Sequence, residues 1–168
     1  MEYMKLTITQ REELLDSLLA MHVFLSETFA HLSSDELKTP GPDQLFAPVE
    51  QVWHLADLER EGFSARIHRL LSECDPYLPD FDGTRAATLR NYRSLSFEEG
   101  LSAFAEARRS NVATLRAVDT DSWLLSGTQQ GVGKVSLCDM PSFMSQHDAA
   151  HRIEIDLWKR FIARKKDA

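Results

Sequence analysis

Between Leu137 and Ile162 six large apolar residues fall on one helical stripe: Leu137, Met140, Met144, Ile155, Trp158 and Ile162. Two histidines, His147 and His151, occupy the gap in that same stripe. Spacing of three and four residues over this length predicts one long amphipathic helix, about 138–163, whose apolar face has to be buried against other helices. The histidines therefore stand where core residues belong. Four residues is one helical turn, so both imidazoles leave the same face.

Three further segments carry the same periodicity. The first, about 9–32, places Leu14, Leu18, Met21, Leu25 and Leu32 on one stripe with Leu15, His22 and Phe29 beside it. Ser33-Ser34-Asp35 and Pro40-Gly41-Pro42 end it. The second opens near Pro48, a residue suited to a first turn, and runs through Val52, Leu55, Leu58, Phe63, Ile67, Leu70 and Leu71 to Asp75-Pro76. The third starts at Ser96, with Glu98 and Glu99 where the helix dipole favours negative charge, and turns Phe97, Leu101, Phe104, Val112 and Leu115 inward.

Long connections at 76–95 and 119–134 separate these segments. The first of them either carries function or crosses the bundle from end to end. Residues 132–137 are too short and interrupted to be expected as a strand. The expectation is an all-α four-helix bundle with long connections, in a single domain covering 1–168.

Composition narrows the function classes. A net charge of -7 with scattered basic residues argues against a nucleic-acid partner, which needs a basic stripe. The one basic cluster, Arg164-Lys165-Lys166, reads as a solvated helix end. Two cysteines, Cys74 and Cys138, lack CxxC spacing and imply no disulfide framework, which suits a reducing cytoplasm. The first residues lack the pattern of a signal peptide, and no apolar stretch approaches the ~20 residues that span a bilayer, so no membrane partner is expected.

His54, in Val52-Trp53-His54-Leu55-Ala56-Asp57, can bring a third imidazole from the second helix to the pair on the last. Three imidazoles leave a transition metal at least one open coordination position, the arrangement of a reactive metal rather than a structural one. Burying unpaired imidazoles costs on the order of 1–3 kcal/mol each, and ligation removes that cost. His147-Asp148-Ala149-Ala150-His151 differs from the zinc-protease HExxH by an aspartate one methylene too short, and too little chain follows for a downstream ligand. A ferritin-like di-iron centre needs two Glu-x-x-His pairs, which are absent.

These histidines resemble those of the DinB-like family of damage-inducible bacterial proteins, which includes YfiT-type metal hydrolases. The matching residues are His54 in Val52-Trp53-His54-Leu55-Ala56-Asp57-Leu58-Glu59, and His147 with His151 in Met144-Ser145-Gln146-His147-Asp148-Ala149-Ala150-His151-Arg152-Ile153. Softer matches are the proline-rich lead into the second helix, Pro79-Asp80-Phe81-Asp82, and Gly133-Lys134-Val135-Ser136-Leu137. The resemblance implies a divalent metal, zinc or nickel, held by the three histidines at one end of the bundle cavity. It also implies homodimers and either metal-dependent hydrolysis or thiol-dependent transfer of a small-molecule substrate, the latter using a low-molecular-weight thiol. The alternative is a non-catalytic, stress-associated bundle that binds metal or ligand.

Around this set, Asp148 reads either as a hydrogen-bond partner of an imidazole or as a solvated carboxylate. Glu50 reads either as a proton acceptor for water at the metal or as an exposed first-turn residue. Arg108, on the inward stripe of the third helix, needs an anionic partner, either an internal carboxylate or that of a substrate. His22 is a candidate fourth ligand but fits a core histidine better. His31 and His68 are expected at the surface, and Trp53, Trp123 and Trp158 in packing roles.

Overall fold

A computed structural model describes residues 2–166; Met1, Asp167 and Ala168 of the expected 1–168 domain, and the side chains of Glu2 and of Lys166 in the basic tail, lie outside the description. The helices are α1 (Glu2–Lys5), α2 (Ile8–Phe29), α3 (Ser34–Leu37), α4 (Pro48–Asp57), α5 (Ala65–Ser72), α6 (Gly83–Leu89), α7 (Phe97–Arg116) and α8 (Met140–Lys166). A π-helical stretch, Leu58–Ser64, joins α4 to α5, so 48–72 is one continuous rod. The four long rods are α2, α4–α5, α7 and α8, the four-helix bundle that periodicity predicts.

Local chemistry sets the rod ends. Thr7 caps α2 in a reciprocal box with Gln10, and Ser96 caps α7 through the Glu99 N–H. Pro48 opens α4, where its missing N–H costs nothing. Glu50 then reaches back to accept from the Ala47 N–H at 2.9 Å and pairs with Arg93 at 3.0 Å. This corrects both readings of Glu50: it is buried, and its carboxylate is spent on a cap and an ion pair.

Two apolar clusters fill the bundle. One gathers Leu15 and Leu18 of α2, Ile67 and Leu70 of α5, Val112 and Leu115 of α7, and Met140 and Met144 of α8. The other gathers Met21, Leu25 and Phe29, then Val52 and Leu55, Phe104, and Ile155, Trp158 and Ile162. Chain order through the clusters gives the directions: α2 and α8 run one way, α4–α5 and α7 the other. Two consecutive rods are thus parallel, and residues 73–96 have to return along the bundle to start α7. The expectation of an end-to-end crossing holds for this connection. Gly100 lets α7 approach α4 there, since a Cβ would lie 2.8 Å from both Val52 and Trp53 side-chain atoms.

The connections are more ordered than their composition suggests. The crossover holds β1 (Tyr77–Leu78), α6 and a 3₁₀ turn. β1 pairs in parallel with β2 (Ser126–Gln129), which pairs antiparallel with β3 (Gly133–Ser136). This corrects the reading of 132–137, where β3 is a true strand. Its two exposed residues are followed by two buried ones, without the alternation that betrays a strand in sequence.

Between the apolar clusters runs a polar layer. Arg108, 1% exposed, donates to both carboxylate oxygens of Asp148 at 2.7 and 2.8 Å, to Glu59 at 2.8 Å and to the Leu18 carbonyl at 2.9 Å. Asn111 adds a 2.7 Å bond to Glu59. A π turn advances the chain by an extra residue, and here Leu58 and Glu59 are both buried. Burial raises the Glu59 carboxyl pKa above its usual range, with Arg108 opposing it and the Asp148 charge adding to it. The internal-carboxylate reading of Arg108 is therefore the observed one: its two Nη atoms are engaged by Asp148, Glu59 and the Leu18 carbonyl. Asp148 is corrected too: it is buried and bound to Arg108 rather than to an imidazole or to solvent.

Removing the cation strands two buried carboxylates, a loss of about 3–5 kcal/mol for a broken buried pair. Arg108→Met is expected to lower unfolding stability by about that amount in denaturant titrations. A loss below 1 kcal/mol would mean that the network carries little of the fold.

Candidate metal centre

The three histidines enter from two rods. His54 comes from α4, four residues before the π stretch, and His147 and His151 come from successive turns of α8. Their ligand nitrogens lie within 4.8 Å of one another. His147 Nε2 is 3.2 Å from His151 Nε2 and 3.5 Å from His54 Nε2. Tetrahedral ligation at about 2.0–2.1 Å places ligand nitrogens roughly 3.4 Å apart, so these spacings suit one ion with little movement. Along α8 the histidine pair lies between residues of the two apolar clusters, after Met144 and before Ile155, while His54 sits in the first third of the α4–α5 rod, between Val52 and Leu55.

The partners of His151 fix its tautomer. Its Nδ1 lies 2.5 Å from Gln51 Oε1 and 3.2 Å from Glu154 Oε2, both acceptors, so Nδ1 carries the proton and Nε2 keeps its lone pair. Gln51 is held in that orientation by its own Nε2, which donates to Glu154 at 3.0 Å. The bond from His151 holds the Glu154 carboxyl down at about 2, against the opposing effect of burial. His54 Nδ1 and His147 Nδ1 have no hydrogen-bond partner among the described residues. Three Nε2 atoms facing one point cannot satisfy each other as donors and acceptors, whereas one cation accepts all three lone pairs.

Burial lowers the His54 pKa to about 4, with the His151 charge adding to the effect. His147 falls to about 3 for the same first reason, with His151 and His54 next. Both rings are neutral at pH 7, the form that coordinates.

Gly83, at the start of α6, closes over His54. A Cβ there would sit 2.3 Å from His54 Cε1 and 2.5 Å from Nδ1. The α6 segment is fixed by the Asp82 cap on the Arg85 N–H. Beyond it, Arg90 and the Tyr92 hydroxyl both donate to Asp57, one turn after His54. Next to His54 and His147 opens a cavity of about 380 Å³, with Leu58, Phe63, Phe81 and Phe143 among its apolar walls.

His22 is half-buried and lies outside the cluster, and His31 and His68 are exposed. Trp123 packs on Tyr3, while Trp53 and Trp158 donate to the Ser96 and Thr39 carbonyls. Sequence reasoning missed Gln51, Glu154 and Gly83. The first two had a usable signal, since they stand three residues before His54 and three after His151, on the faces those rings share.

Comparison with known proteins places this geometry in context. The model of the DinB superfamily matches residues 25–155. YfiT from Bacillus subtilis, described as "a probable metal-dependent hydrolase with an unusual four-helix bundle topology", superposes with a TM-score of 0.81 at 17% identity, covering 96% of this chain and 90% of that one. A mycothiol-dependent maleylpyruvate isomerase superposes with a TM-score of 0.71 at 12% identity, covering 91% of this chain but 62% of the isomerase. No curated protein matches by sequence. At these identities the structural likeness concerns the fold.

Folded-state pKa values below the ordinary 6.5 mean that the unfolded chain binds more protons across that interval. Stability of the metal-free protein is therefore expected to fall as pH drops from about 6.5 toward 4. His54→Phe is expected to flatten the slope in chelator-treated samples. A flat wild-type profile would contradict the burial of neutral rings.

Proposed function

Because the chain belongs to the DinB superfamily, we propose that His54, His147 and His151 hold a divalent metal, zinc or nickel, and that the centre catalyses hydrolysis of a small molecule bound in the adjoining cavity. The observation that carries this reading is the convergence of three Nε2 lone pairs at ligand spacing. When bound, such an ion supplies Lewis acidity, polarising a carbonyl and making water acidic enough to attack near neutral pH.

The chain's own residues do the rest. His151 is held in one tautomer by Gln51 and Glu154, which keeps its Nε2 lone pair on the site. His54 and His147 stay neutral through burial. Glu154, ionised beside His151 Nδ1–H, offsets positive charge brought to the rings. Phe63 and Phe81 flank the rings and exclude water from one side of the cavity.

Thiol-dependent transfer is the second reading, favoured by the likeness to the mycothiol-dependent isomerase. Turnover of ester and amide panels with and without low-molecular-weight thiols separates the two.

Elemental analysis after purification without chelators or added metal is expected to find one equivalent of metal in the wild type and none in His151→Ala. Metal-free wild type, or full occupancy in His151→Ala, would overturn the site. Gln51→Ala is expected to weaken metal affinity about 10–100-fold, the usual cost of losing an imidazole's orienting partner. Gly83→Ala is expected to weaken cobalt(II) affinity by at least about tenfold by displacing the His54 ring. Helix content by circular dichroism is expected to stay unchanged, and unaltered affinity would show that the α6 contact does not position the ring.

A further inference from the structure

The cavity beside the histidines has a polar wall that the metal reading does not use. Arg66, two residues beyond the π stretch, and Gln129, the last residue of β2, both line it and are 6% and 8% exposed. Both carry a buried atom without a hydrogen-bond partner among the described residues, Arg66 Nε and Gln129 Oε1. Among the described residues Arg66 hydrogen-bonds through its Nη2, at 3.0 Å from Asp80 and 3.4 Å from the Pro79 carbonyl. Asp80 itself is 65% exposed, so water screens it and its hold on the guanidinium is weak.

We infer that Arg66 and Gln129 form a recognition subsite for the carboxylate of a small organic acid, whose reactive group then faces His54 and His147. The inference rests on the cavity serving the proposed metal centre, and it names the substrate class of that site. A guanidinium is planar, permanently charged and matched to carboxylate oxygens in a two-pronged contact. A buried one whose Nε lacks a hydrogen-bond partner among the described residues calls for an anion; burial indeed pulls the Arg66 pKa down, with Asp80 compensating second.

The wall between the two ends is apolar. The Phe63 ring has the Arg66 guanidinium 5.8 Å from its centroid and the His147 ring 6.3 Å away, so it separates anion end from metal end. Phe81, Phe143 and Val132 complete a sleeve for an aliphatic or aromatic body. An acid binding there displaces Asp80 from Arg66, and Asp80 returns to solvent at little cost. Gln129, whose amide offers either a donor or an acceptor, serves the second oxygen or a donor beside it.

Calorimetric titration with phenylacetate and neutral phenylacetamide, on metal-free and zinc-loaded protein, tests the subsite. Phenylacetate is expected to bind roughly tenfold more tightly than the amide in both forms, as one charge-assisted contact warrants. Arg66→Met is expected to erase the preference. Asp80→Asn, at an exposed position, is expected to strengthen phenylacetate binding, and Gln129→Glu to weaken it. These two variants decide the matter if Arg66→Met does not fold. Equal affinity for acid and amide overturns the inference, as does a preference that survives Arg66→Met. A preference seen only with zinc also overturns it, since the carboxylate would then sit on the metal. Acid preference in a protein that takes up no metal keeps the subsite and removes the metal reading.

Discussion

One buried cation governs how the rods meet. Arg108 binds Asp148 of α8, Glu59 of the π stretch and the Leu18 carbonyl of α2, so a side chain of α7 touches all three other rods at one level. Apolar packing above and below tolerates sliding and rotation, because one aliphatic contact replaces another at small cost. A two-pronged arginine–carboxylate contact does not. Fixing Asp148 fixes the rotation of α8, and the neighbouring His147 and the next-turn His151 are thereby aimed at α4. Glu59 does the same for the rod carrying His54. The polar layer is costly to bury, and its return is the registration of two helices that have to present three ligands to one point.

The histidines gain from the same layer. They lie between the apolar clusters, His151 buried and His54 and His147 part-buried beside the cavity, and burial keeps the His54 and His147 rings neutral. Burial alone would leave each ring free to choose a tautomer. Gln51 and Glu154 remove that freedom at His151, and Gly83 removes the space in which His54 could rotate. Each constraint acts on one ring, and together they hold the arrangement ready for an ion.

Much of this was legible in the sequence for identifiable reasons. Pro48 and Ser96 mark rod starts because helix ends obey local rules, and the stripe of α8 shows the histidines as inward because burial there follows a 3.6-residue period. The link from His54 to the pair required the resemblance, since nothing local ties residue 54 to residue 147. Asp148 was misplaced because a stripe argument assumes one buried face. α8 is enclosed on more than one side, and a residue about 100° from the stripe is still inside. Glu59 lacked any signal: a π turn shifts the phase by a residue without a proline or glycine rule to announce it. The strands hid because β1 has two residues and β2 is built of Ser126, Gly127, Thr128 and Gln129, none a strong strand former.

The parallel pairing of α4–α5 with α7 has a consequence for the site. An antiparallel neighbour would be joined by a short turn at the bundle end, leaving the middle of the rods open. Here the chain has to travel back along them, and its path lies over the histidines. The roof is therefore a connection, pinned at Asp57 by Arg90 and Tyr92 and at the hairpin by the bond from the Asp80 N–H to Gln130. A roof of this kind separates two requirements that compete in most sites. The ligand geometry is set by rods locked through Arg108, whereas one side of the cavity wall, Phe81, Asp80 and Gln129, sits on short segments outside the rods. Changes in that wall alter which molecule fits without disturbing the three nitrogens, so one bundle can keep its centre while its cavity adapts to another substrate.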